Sequence, residues 1–165
     1  MKVTVLGNNG PYPSAGGACS GYLIQSGNTS ILNDIGPGSL ANLFKVMNPA
    51  DLNAIVLSHL HYDHISDLYS LGYYFSINKK VMDLFLPDHP RDIYEQFKNN
   101  KAFNVFPICD CNMFHIKEIT LTFCEMTHPL KSYASKYRDN VSTFVYSGDT
   151  NYNERLGEFG RKCDL

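Results

Sequence analysis

The sequence predicts one α+β domain, and three observations predict it. Short apolar runs alternate with helix-spaced segments over residues 3–98, runs of β-type residues separated by polar turns take over from residue 103, and no linker or low-complexity segment divides the 165 residues. With 44% hydrophobic and 18% charged residues the chain can bury a core of its own. The formal charge of -2, from 14 Lys+Arg against 16 Asp+Glu, excludes a sequence-wide attraction to nucleic acid or membrane. An anionic substrate must therefore be captured locally.

Taken in order, Val3, Val5 and Leu6 mark a first strand, and the Gly- and Pro-dense residues 7–21 form an irregular loop without the Gly-Lys-Ser/Thr ending of a P-loop. Residues 22–24 and 29–32 flank Gly27-Asn28 and read as a hairpin. Residues 39–46, apolar at 40, 43 and 44, predict a capped amphipathic helix that Asn48-Pro49 ends. Ala54 to Leu57 is a continuous apolar run of the kind a sheet-buried strand shows, followed at once by a polar cluster and by helical spacing over residues 65–78. Residues 82–86 predict a strand and residues 90–98 a helix opened by proline in its first turn. Residues 103–106, 113–116, 119–123 and 143–146 each suit half-buried strands. The start of the chain is too short in apolar residues for a secretory core, and nothing approaches the ~20 apolar residues of a membrane span, so the expected address is cytoplasmic with no membrane partner. Five cysteines at irregular spacing read as reduced thiols.

The chemistry concentrates in Ser58-His59-Leu60-His61-Tyr62-Asp63-His64, which places three of six histidines and a carboxylate directly after a buried strand. Residues two apart on extended backbone point the same way, so His59 and His61 can offer imidazoles to one ion while Asp63 and His64 turn toward an adjacent one. Nitrogen-rich ligation with a carboxylate suits zinc, with iron or manganese as the other options; the bland alternative is a solvated polar loop. His128, in Thr127-His128-Pro129, and Asp149, in Ser147-Gly148-Asp149-Thr150, each follow a strand and could complete the centre, against the plainer roles of surface histidine and helix cap. His89 reads as part of a surface turn and His115 as a strand position, and Cys109-Asp110-Cys111 is too isolated for a zinc ribbon.

Asp34, His59-x-His61-x-Asp63-His64, His128 and Ser-Gly-Asp149-Thr, in this order and at these separations, resemble the metallo-β-lactamase superfamily. Within it, Leu6 to Ser14, Ala18 to Leu23 and residues 128–150 look like the ribonuclease Z-related, phosphodiesterase-type branch. The resemblance implies two mixed sheets between helices, with His59, His61 and His128 on a first zinc, Asp63 and His64 on a second, Asp149 bridging, and Asp34 orienting the metal loop by hydrogen bonding. It implies metal-assisted hydrolysis of a phosphodiester in a nucleotide or RNA-type substrate, with Asp63 doubling as general base. The lactamases usually carry Cys at the place of Asp149, and the flavodiiron proteins Glu at the place of His61, so lactam hydrolysis and redox chemistry are disfavoured. Residues 129–148 leave no room for the arm with which ribonuclease Z grips transfer RNA. Members of that family continue to a last histidine on the second metal, so the resemblance implies a chain lacking the C-terminal part, and with it an expected homo-oligomer. The rival functions are thioester or lactone hydrolysis on the same fold and an inactive metal-binding fragment.

Overall fold

The computed structural model describes residues 1–110 and 112–165, so Cys111 of the Cys109-Asp110-Cys111 segment lies outside the described residues. Ten strands and four helices are assigned among them: β1 (Lys2–Gly7), β2 (Gly21–Ser26), β3 (Thr29–Ile35), α1 (Ser39–Val46), β4 (Ala54–Val56), α2 (Tyr62–Ile77), β5 (Met82–Leu86), α3 (Arg91–Lys98), β6 (Phe103–Pro107), β7 (Met113–Ile116), β8 (Ile119–Met126), β9 (Ser132–Arg138), β10 (Thr143–Tyr146) and α4 (Glu154–Phe159). The first six strands form one sheet in chain order, antiparallel from β1 to β3 and parallel from β3 to β6. The second sheet, β10-β9-β8-β7, is antiparallel throughout.

Strand periodicity explains the layering. Along β3, β4 and β5, Leu32, Ile55, Leu84 and Leu86 point to one face, where Leu43, Ile65, Leu68, Leu71, Phe75 and Phe97 of α1, α2 and α3 pack on them. Ile31, Ala54, Val56 and Phe85 point to the other face and meet Ile119, Leu121, Phe123, Tyr133, Tyr137 and Phe144 of the second sheet. On the outer face of that sheet, Cys124, Met126 and Ala134 receive Leu156 and Phe159 of α4. The result is a helix, sheet, sheet, helix sandwich.

Several expectations need local correction. Helix α2 begins at Tyr62 rather than at 65, so Asp63 and His64 occupy its first turn, and Pro90 is the N-cap of α3 rather than a residue inside it. Helix α1 has no capping side chain of its own, because its N-cap is Gly38; Asp67 of α2 instead accepts from Leu40 N–H at 3.0 Å, and Phe44 on the apolar stripe is 49% exposed. Strand β9 is absent from the sequence reading. Its text, SYASKYR, hides a buried face in Tyr133, Ser135 and Tyr137.

Candidate metal centre

Parallel strands β3 and β4 release their chains at the same end of the sheet, and Asp34 and the 58–61 loop with the first turn of α2 emerge there side by side. The β8–β9 turn brings His128 to this end, and the segment after β10 brings Asp149. All seven residues singled out from the sequence therefore meet in one place. His59, His61, His128 and Asp149 offer ligand atoms within 4.8 Å of one another.

Asp34 organises the group from beneath. It is fully buried and holds a φ of 55°, a left-handed backbone that costs a non-glycine residue about 1–2 kcal/mol. Its carboxylate accepts from Ser58 N–H at 2.8 Å, from Ser58 Oγ at 2.8 Å and from His64 Nδ1 at 2.7 Å. Because the Ser58 hydroxyl proton goes to Asp34, its oxygen accepts from His59 Nδ1 at 3.0 Å. Both rings are thereby fixed as the tautomer whose Nε2 is a bare lone pair. Ser58 stands in the motif but received no role from the sequence; only its contact with a residue 24 positions earlier reveals one.

Two poles result. At the first, His59 Nε2 and His128 Nε2 each lie 3.0 Å from His61 Nδ1. Imidazole nitrogens on a common tetrahedral ion stand roughly 3.3 Å apart, so this convergence of ring nitrogens fits a divalent metal. Burial, with His64 next, lowers His59 to a pKa of about 3, and burial followed by His61 lowers His128. Both remain unprotonated at neutral pH, as ligation requires. At the second pole, His64 Nε2 faces Asp63 Oδ2 at 3.7 Å and Asp149 Oδ1 at 3.5 Å. Burial pushes His64 down, but the charge and hydrogen bond of Asp34, then Asp149 and Asp63, carry it upward on balance. Asp149 turns its other oxygen to His59 Nε2 at 3.9 Å and so stands between the poles.

The N-terminus of α2 points into the site, with His61 at its N-cap and Asp63 in the first turn, where the helix dipole favours a carboxylate. Gly36 makes the packing feasible, since a Cβ there would lie 1.8 Å from the Asp63 carbonyl oxygen. The second pole opens to a cleft of about 350 Å³ lined by Asn8, Asn9, Gly10, Pro11 and Ser20 opposite Asp63, His64 and Asp149. The plain readings of the other two histidines hold: His89 is exposed beside Asp88 at 3.0 Å, and His115 sits in β7 against Thr120.

A two-sheet sandwich with an imidazole and carboxylate centre at its mouth is the architecture of a metal-dependent hydrolase. The model of the metallo-beta-lactamase superfamily matches residues 15–164. A curated relative named probable metallo-hydrolase YhfI, from Bacillus subtilis, is 35% identical over 100% of this chain and 70% of its own length. The crystal structure of the metallo-beta-lactamase fold protein YhfI from Bacillus subtilis superposes with a TM-score of 0.94 at 31% identity, covering 99% of this chain and 68% of that one. Human tRNase Z, short form, shares the fold with a TM-score of 0.79 at 20% identity, over 100% of this chain and 76% of the other. The chain belongs to the metallo-β-lactamase superfamily, and it is a metallohydrolase of that fold. No helix among the described residues is long and apolar enough to cross a membrane.

Proposed function

We propose that the protein hydrolyses phosphodiester bonds in a nucleotide or RNA-type substrate with two divalent metals, most naturally zinc, held by His59, His61 and His128 and by Asp63 and His64, with Asp149 shared between them. The observation that carries this reading is the Asp149 carboxylate, which faces His59 on one side and His64 on the other, so that two ligand sets share one anion. When bound, such a metal pair supplies Lewis-acid charge for the phosphoryl oxygens and a nucleophile at neutral pH. The chain's own residues do the rest. Asp34 and Ser58 hold the ring tautomers, and Asp63, on the cleft wall, takes the proton of the attacking water. Residues 129–148 fold as the β9–β10 hairpin, which supports a small nucleotide or an RNA end over a substrate gripped by an extra arm.

A panel of bis(p-nitrophenyl) phosphate, a thioester and a lactone, tested on the zinc-loaded protein, decides the bond class. Preferential turnover of the diester is expected. Turnover confined to the thioester or lactone would overturn the phosphodiester reading while leaving the metal centre intact.

A further inference from the structure

The cleft beside the second pole has one wall that the chemistry above does not use. Its residues Asn8, Asn9, Gly10 and Pro11 lie on the loop after β1, facing Asp63, His64 and Asp149. That loop is pinned. The backbone N–H groups of Asn8 and Asn9 both donate to Ala18 O, at 3.1 and 3.0 Å, and Asn9 forms a parallel bridge with Cys19. Gly10 passes so near the second pole that a Cβ there would stand 3.2 Å from Asp63 Oδ2. The two asparagines then divide the work. Asn9 Oδ1 accepts from Ser14 N–H at 3.1 Å and from Ser14 Oγ at 2.9 Å, which commits that carbonyl to shaping the loop. Asn8 is exposed, and its side chain makes no hydrogen bond among the described residues.

Charge gives the free amide a purpose. The cleft wall holds two carboxylates and no lysine or arginine. Lys131, three residues beyond His128, is engaged by Asp88 at 2.9 Å. A phosphoryl oxygen entering this cleft therefore meets neutral groups on its outer wall, and the Asn8 amide, carried on a pinned backbone, can supply two N–H groups without adding charge. Such a wall adds no positive charge of its own, so what it contributes to substrate recognition is hydrogen bonding, beside whatever charge the metals supply.

We infer that Asn8 is a specificity-determining residue, whose side-chain amide donates to a non-bridging oxygen of a singly charged phosphodiester held against Asp63, His64 and Asp149. This rests on the phosphodiesterase reading. The bond is made in the ground state and in the transition state alike, so its removal raises KM more than it lowers kcat. An Asp at the same place turns a donor into an anion facing an anion and is worse than Ala.

The test uses the full zinc-loaded chain and its Asn8→Ala and Asn8→Asp variants, with metal content and melting temperature checked as equal. Steady-state turnover of bis(p-nitrophenyl) phosphate and equilibrium binding of its slowly hydrolysed phosphorothioate analogue are measured on each. The expected result is a roughly 5-fold rise in KM and analogue Kd for Asn8→Ala and roughly 20-fold for Asn8→Asp, with kcat within about twofold. KM and Kd within twofold of wild type in both variants would overturn the inference while the phosphodiesterase reading stands. A wild-type protein that leaves the diester untouched would instead overturn that reading, and this inference with it.

Discussion

The two poles of the centre share Asp149 yet are built by different means. The His59, His61 and His128 pole is an inner site whose ring nitrogens converge at 3.0 Å and whose His59 and His128 are kept neutral foremost by burial. The Asp63, His64 and Asp149 pole is an outer site, open to the cleft, and its histidine is tuned upward by carboxylates, Asp34 foremost. Desolvation governs the first and charge the second. One buried anion nevertheless reaches both, directly to His64 and through Ser58 to His59. The lesson is that affinity at the two poles can be separated by choosing which arm of Asp34 is cut.

His61→Ala is the harshest cut, because His61 Nδ1 is common to both nitrogen pairs of the inner pole. Loss of this proposed ligand should remove several kcal/mol of transition-state stabilisation, so turnover should fall by about 10³-fold or more, read by initial rates beside metal stoichiometry. Asp34→Asn comes next. Asn tolerates the left-handed backbone, so the change removes charge and acceptor capacity without a new strain, and both poles should bind zinc about 10- to 100-fold more weakly in a competition titration. An effect confined to one pole would break the picture of a shared anion. Ser58→Ala should be milder and one-sided, weakening the inner pole about 10-fold while the His64 to Asp34 bond survives.

The smallest effect is on the metal-free protein and acid. The folded pKa of His59 is depressed from 6.5 to about 3, so between those values the unfolded chain binds the extra proton and folding stability falls as pH falls. His128 adds to the same trend. His64, raised on balance, contributes stability that is present below its unfolded value and is lost only as pH rises through its folded one, so it does not offset the loss. The unfolding free energy from denaturant titrations should drop by up to about 1.4 kcal/mol per pH unit from His59 below pH 6.5, and His59→Asn should flatten that slope. A flat profile in the parent protein would mean that His59 is not desolvated as its burial implies.

Much of this site is readable in the text because its residues cluster or follow strands. His59, His61, Asp63 and His64 fall within six consecutive positions, and His128 and Asp149 follow β8 and β10. The rest depends on juxtapositions that spacing does not encode. Ser58 and Asn8 look like any loop residue until Asp34 and the cleft are placed beside them. Strand β9 escapes pattern reading for a related reason. Its inward Ser135 is polar because it answers Asn33 on the other sheet, so the apolar alternation that marks a strand is broken where the two sheets meet.

That polar meeting point sets the tolerance of the whole assembly. Asn33 Oδ1 accepts from Ser135 Oγ at 2.8 Å and from the Tyr137 hydroxyl, partners more than a hundred positions away in the chain, within an otherwise apolar interface. Apolar contacts are non-directional, whereas a buried amide and hydroxyl pair loses its bonds when displaced. Strand β9 is hydrogen-bonded to β8, which leads to His128, and to β10, which leads to Asp149, while Asn33 is the immediate neighbour of Asp34. The bond thus works as an alignment pin between two halves of an instrument, tying the strands that lead to His128 and Asp149 to the one that carries Asp34.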